Sequence, residues 1–232
     1  MLFTPQLPLQ LEPRRENRFE QFIAGPNQAV VDALQALAGQ QDASLFLQGA
    51  ESSGKTHLLN AVCHAVRTAG RQAFYLGLGR LPPGATASLE GLEVMDVVCV
   101  DDLHLVAGDA AWDEALFHFI NRLRAKRGSL VIASRQRLGS LPLQLPDLAS
   151  RLAWGLRMEL SPLSEADKIQ VLESFAASLG VDLPEDVVQY LIRHDRRSLA
   201  RLLNSVDQLR LAAISAKRRI TVPLARAVIE GG

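Results

Sequence analysis

Cysteine is nearly missing from this sequence of 232 residues: there are 2, Cys63 and Cys99, and both fall inside apolar runs. That excludes a disulfide-stapled secreted scaffold and predicts buried thiols in a reducing compartment. Net charge is missing too, with 25 Lys and Arg against 25 Asp and Glu. No overall basic field draws the chain to nucleic acid, which leaves room only for a local patch. No run of about 18 apolar residues occurs, so a membrane span is not expected. The N-terminus has neither the basic start nor the continuous apolar core of a signal peptide. The 5 histidines form no HExxH or other metal-ligand spacing, and no G-x-S-x-G turn is present. The "GLG" at Gly77–Gly79 is followed by no third glycine and opens no helix. The expectation is a cytoplasmic globular protein. Its 48% hydrophobic content and mean hydropathy of +0.08 supply a core, and its length allows one α/β domain plus a small second one.

The chain begins with an apolar tail, "QLPLQL", among Pro5, Pro8 and Pro13; prolines disfavour helix there. Phe19, Phe22 and Ile23 then form a small apolar knot ahead of Gly25-Pro26, and a helix runs from about Asn27 to Gly39. "SLFLQ", "QAFYLGL", "VMDVVCVDD", "SLVIAS" and "GLRMEL" read as five strands, with helices after the first and third. The unbroken run Val97–Val100 suits a parallel strand covered on both faces, and alternation of strands with helices predicts a parallel α/β sheet. After Ser161–Leu163 only helical patterns follow: one capped by Ser164 with Asp167 and ending near Gly180, "LPEDVVQYLIRH", the long "RRSLARLLNSVDQLRLAAISAKRR", and "VPLARAVIE". The expected organisation is a tail over 1–17, an α/β domain over 18–160 and a helical domain over 161–232.

Gly49-Ala50-Glu51-Ser52-Ser53-Gly54-Lys55-Thr56 fits G-x-x-x-x-G-K-[ST] without a mismatch, between an apolar strand and an amphipathic helix. Glycines let backbone N–H groups turn inward onto phosphate oxygens. Lys55 adds a charge at the β and γ phosphates, and Thr56 offers its hydroxyl to Mg²⁺. Gly49, Ser52, Ser53, Gly54, Lys55, Thr56 and the following His57 are the candidate nucleotide contacts, for ATP or ADP. Asp101 closes the apolar strand "VVCVDD" at its carboxyl end, where open α/β sheets bind ligands. It is the candidate metal partner with Thr56, and Asp102 is placed to orient a water or meet the γ-phosphate side. The basic "AKRR" at 216–219 reads as a solvated helix end.

The combination of "FEQFIAGPNQ", "GAESSGKTHLL", "VVCVDDLHLVAGD", "LPDLASRLAWGL" and "RRSLARLLNSVDQL" resembles the AAA+ ATPase module of the bacterial initiator DnaA, from about residue 18 to the end. The resemblance implies a P-loop parallel sheet of five strands flanked by helices, with a C-terminal all-helical lid. DnaA continues into a helix-turn-helix domain and starts with a long interaction domain. This sequence matches neither, which points to the short regulatory members of the DnaA-like family. They carry an N-terminal sliding-clamp motif of the form Q-L-x-L-x-[LF]; Gln6, Leu7, Leu9 and Leu11 fill it. A proline-stiffened peptide loses less entropy on docking, and each buried leucine contributes roughly 1.5–3 kcal/mol. The similar "LQLPDL" at 143–148 reads as a loop before a helix.

The family pattern also places Arg151 as an arginine finger reaching a neighbouring subunit's nucleotide, and Arg197 as the lid arginine contacting phosphate in its own subunit, with Arg196 as competitor. One departure stands out: where DnaA has an aspartate after the "LVIAS" strand, this chain has Arg135, which puts self-hydrolysis in question. The resemblance thus implies a regulator of replication initiation. It would bind the DNA-loaded clamp (the β subunit of DNA polymerase III) and stimulate hydrolysis of ATP on DnaA, preventing re-initiation. Partners would be DnaA, the clamp, DNA mainly through the clamp, and a second copy of the chain as an open option; no membrane is involved. The rival readings are an autonomous AAA+ ATPase or helicase-loading factor, and a DNA-binding adaptor.

Overall fold

The computed structural model describes residues 17–194, 199–216 and 218–230. Among them, five parallel strands form one sheet: β1 (Ser44–Gly49), β2 (Ala73–Gly77), β3 (Val97–Asp101), β4 (Ser129–Ser134) and β5 (Leu156–Leu160), in the order β2-β3-β4-β1-β5. Parallel neighbours need crossovers. Helices α1 (Gln28–Ala38), α2 (Lys55–Thr68), α3 (Ala110–Ala125) and α4 (Pro146–Leu152) flank the strands. Because β1 lies inside the sheet between β4 and β5, its carboxyl end opens into a crevice between neighbouring strand ends.

Alternate residues of each strand point to opposite faces, and each face has its own core. Leu45, Leu47, Cys99 and Val131 pack under α1 and α2 with Leu34, Leu58, Val62 and Val66. Phe46, Val98, Val100 and Ile132 pack under α3 and α4 with Leu116, Phe119, Leu123 and Leu148. Every residue of β3 and β4 is buried, as unbroken apolar runs require. Cys63 and Cys99 are free and buried.

The helical pattern beyond the sheet folds as α5 (Glu165–Ser178), α6 (Glu185–His194), α7 (Leu199–Ala216) and α8 (Val222–Glu230). Their separate core includes Leu172, Val188, Leu191, Leu202, Val206 and Leu209. The expected capping box is present: the Asp167 amide donates to Ser164 Oγ at 3.1 Å, and the Ser164 amide donates to Asp167 Oδ2 at 3.0 Å.

Two features were not foreseen. The stretch between β2 and β3 folds into short 3₁₀ turns that bury Leu78, Leu89 and Leu92; such turns carry no periodicity for a sequence reading to detect. The apolar knot is a strap laid across the strand ends. Its Asn27 side chain donates to Ser161 O at 3.1 Å and accepts from the Ser161 amide at 2.7 Å, which ties the strap to the exit from β5.

Candidate functional site

The glycine-rich loop leaves β1 and enters α2 in a conformation that only particular residues allow. Gly54 has φ +96°, and a Cβ there would come within 2.6 Å of Phe22 Cε2. Ser52 is also left-handed, at φ 59°. A Cβ on Gly49 would meet Ser53 Oγ at 2.6 Å and Leu160 Cβ at 3.1 Å. The loop is therefore a tight cradle whose backbone converges at the N-terminus of α2, where unpaired N–H groups and the helix dipole favour an anion. Lys55 is folded back into it, donating to Gly49 O at 2.9 Å and Ala50 O at 2.7 Å. Burial lowers the pKa of its ammonium, against the pull of Asp101 and Asp102. Ser53 Oγ is buried without a hydrogen-bond partner.

At the adjoining end of β3, the buried Asp101 carboxylate collects three donors. Thr56 Oγ1 donates to Oδ2 at 2.5 Å, Tyr75 Oη donates to Oδ2 at 3.0 Å, and the Asp102 amide donates to Oδ1 at 2.9 Å. Burial pushes the Tyr75 hydroxyl far up, helped by the Asp101 charge and the hydrogen bond. Asp102 stands in the left-handed region at φ 61°. Thr56 and Asp101 thus form a pair of hard oxygen donors, the kind Mg²⁺ uses beside waters and phosphate oxygens. No group of three or more His, Cys, Asp or Glu side chains converges among the described residues, so protein ligands alone would not hold a metal there.

Loop, strap and lid enclose a cleft of about 420 Å³, with Lys55, Thr56 and Asp102 at one side and Ile23, Val171 and Leu203 among its apolar walls. A polar, cationic end joined to an apolar end suits a molecule with a phosphate tail and a flat apolar base. The orphaned Ser53 hydroxyl and the cradle around Gly54 fit such a group. His57 lines the same cleft, but its Nε2 lies 3.0 Å from Arg18 O and its ring packs 5.5 Å from Phe22. It anchors the strap, and burial lowers its pKa.

Arg151 is elsewhere. It sits at the end of α4, in a hollow shared with Asp42, Ser44, Arg124, Gly128 and Trp154, beside the start of β1. The phosphate loop leaves the other end of that strand, about 17 Å away at a rise of about 3.3 Å per residue. The guanidinium lies 3.9 Å over the Trp154 ring; Arg124 stacks on the same ring, also at 3.9 Å. Trp154 is 49% exposed. Arg151 Nε is buried without a hydrogen-bond partner, and among the described residues Arg151 has no ion-pair partner.

The structure therefore gathers Gly49, Ser52, Ser53, Gly54, Lys55, Thr56, His57, Asp101 and Asp102 at one end of the sheet and keeps Arg151 apart. Gln6, Leu7, Leu9, Leu11, Arg196 and Arg197 lie outside the described residues. Sequence reasoning did not assign Phe22, Tyr75 or Trp154. Tyr75 and Asp101 stand on paired strands, two residues out of register and so on the same face of the sheet, a proximity that strand order alone creates.

Residues 86–159 match the family model of the bacterial DnaA ATPase domain, and residues 165–229 match that of the Hda lid domain. Among solved structures, the chain is similar to domain III of the replication initiation protein DnaA from Thermotoga maritima. The identity is 22%, 98% of each chain is covered, and the TM-score is 0.81. It is also similar to AMPPCP-bound DnaA from Aquifex aeolicus, at 21% identity over 89% of this chain and 68% of that one, with a TM-score of 0.69. The Thermotoga maritima RuvB Holliday junction branch migration motor is similar too, at 21% identity over 88% and 67% of the two chains, with a TM-score of 0.66. At such identities the likeness to these structures is one of fold.

Proposed function

The chain belongs to the Hda/DnaA-like family of AAA+ proteins, and from that premise we propose that it is a nucleotide-binding regulator of bacterial replication initiation. It binds ADP or ATP with Mg²⁺ in the cleft over the phosphate loop and uses Arg151 on ATP held by DnaA. It works in the cytoplasm, tethered to the DNA-loaded sliding clamp through Gln6, Leu7, Leu9 and Leu11. Its parts are the tail over 1–17, the nucleotide domain over 18–160 and the lid over 161–232, whose Arg197 contacts the chain's own nucleotide.

The observation that carries this reading is the separation of Arg151 from its own cleft. A guanidinium at the opposite strand ends has no path to the nucleotide on the same chain. It is half-buried and stacked on a half-exposed indole, and among the described residues no acidic side chain pairs with its charge. Beside a γ-phosphate on another molecule, such a group stabilises the charge that develops in the transition state, worth about 10³–10⁵ in rate in related phosphoryl transfers. The test is hydrolysis of DnaA-bound ATP in the presence of clamp-loaded DNA. Arg151→Ala abolishes the stimulation, and a chain lacking residues 1–12 no longer pulls down the clamp; stimulation unchanged by Arg151→Ala removes the central claim.

One observation favours a second reading. Asp101, Asp102 and Thr56 stand ready around Lys55, as an autonomous ATPase needs. ATP turnover by the isolated chain, abolished by Lys55→Ala, would establish it.

A further inference from the structure

An acid in a phosphate-binding loop sets a negative charge near the anion the loop is shaped to hold, and the two repel. Glu51 is such an acid. Its Oε1 accepts from Arg135 Nη2 at 3.0 Å, and both residues line the cleft together with Lys55 and Thr56. Arg135 follows the last residue of β4, whose Ser134 is paired in register with Gln48 of β1. The start of its side chain is fixed at that strand end, where its amide donates to His104 Nδ1 at 3.4 Å and the next amide to Ser134 Oγ at 3.0 Å. The far end is free to move: the Arg135 and Glu51 side chains are 46% and 68% exposed. Ion pairs that open to water hold their partners weakly.

We propose that Arg135 is a phosphate-binding residue with an internal competitor: Glu51 holds the guanidinium in the free protein, and the terminal phosphate of a bound nucleoside di- or triphosphate takes it over. A phosphate offers a planar guanidinium two parallel hydrogen bonds and more charge than a carboxylate. Transfer therefore proceeds toward the ligand, leaving Glu51 turned to solvent. The inference rests on the nucleotide-binding reading of the cleft.

A simpler arrangement would leave Arg135 on Glu51 throughout, merely cancelling its charge. The two differ in the sign of a double-mutant cycle. If Arg135 changes partner, Glu51→Gln removes both repulsion and competition in the wild-type background, but repulsion alone when Arg135 is already Gln. If Arg135 only cancels the charge, Glu51 repels most once Arg135 is gone.

The experiment measures Mg-ADP and Mg-AMPPCP binding to the full chain and to Arg135→Gln, Glu51→Gln and the double variant, with AMP as the ligand lacking a terminal phosphate. Thermal unfolding of each confirms the fold. Arg135→Gln is expected to weaken binding about three- to tenfold, in keeping with a half-exposed charge-assisted bond. Glu51→Gln is expected to tighten it about two- to fivefold in the wild-type background and by less in Arg135→Gln, with no such coupling for AMP. A gain that is equal or larger in the Arg135→Gln background overturns the inference while leaving the nucleotide site intact. Wild-type protein that binds neither ADP nor AMPPCP overturns both.

Discussion

Gly54→Ala is the sharpest single test of the loop geometry. The substitution asks an alanine to hold φ +96°, beyond the left-handed region that L residues tolerate, at a cost of about 1–3 kcal/mol. It also sets a methyl carbon 2.6 Å from Phe22 Cε2, where carbon atoms normally rest about 3.5–4.0 Å apart. The Phe22 ring must retreat by about 1 Å, away from its packing on His57, and overpacking of this kind costs about 1–3 kcal/mol. Together the two effects come to about 3 kcal/mol. At about 2–4 °C per kcal/mol for a chain of this size, the melting temperature falls by about 6–12 °C. Any relaxation that spares the ring must instead flatten the loop and turn its N–H groups outward, so Mg-ADP binding weakens at least about tenfold. Differential scanning fluorimetry with and without Mg-ADP reads both effects. Phe22→Leu in the Gly54→Ala background restores the steric share of the stability and leaves the backbone share lost. Gly139→Ala, where a Cβ meets nothing within 4 Å, stays within about 0.5 kcal/mol of wild type. A Gly54→Ala protein that melts within about 2 °C of wild type and binds nucleotide normally would refute the reasoning.

Other perturbations reach other parts of the molecule. Tyr75→Phe removes a 3.0 Å donor from the buried Asp101 carboxylate and lowers stability by about 1.5–3 kcal/mol, measured by urea unfolding. Trp154→Ala removes two guanidinium stacks worth about 0.5–1 kcal/mol each at an exposed site. The chain stays folded, and the loss appears as reduced stimulation of DnaA-bound ATP hydrolysis, partly rescued by Trp154→Phe. His57 has a folded pKa lowered by burial from 6.5. Between that lowered value and 6.5 the unfolded chain binds the extra proton, so stability rises with pH across the window and is lost as pH falls through it. His104 shifts in the same direction. His57→Gln should flatten part of the slope seen by urea unfolding below about pH 6.5.

The sheet and its phosphate loop were legible because their signals are local. The apolar runs of β1, β3 and β4 are buried-strand signals within a few residues, and the loop motif is contiguous. The capping box at Ser164 and Asp167 spans one helical turn. The 3₁₀ turns after β2 were not legible, because their buried leucines follow no period. Arg135 was visible as a departure from the family pattern, yet its pairing with Glu51, 84 positions earlier, was not: a one-residue signal says nothing about a partner across the sheet.

Sequence alone determined the strand and helix content and the chemical types at the phosphate loop, since these depend on contacts within about one turn of chain. Tertiary structure decided what shares a space. Strand order brought Tyr75 beside Asp101, the strap laid Phe22 over Gly54, and the packing of α3 beside α4 put Arg124 on Trp154, at the end of the sheet away from the phosphate loop. Such pairings arise when separate elements pack their apolar faces together, and the spacing of residues along the chain does not encode them.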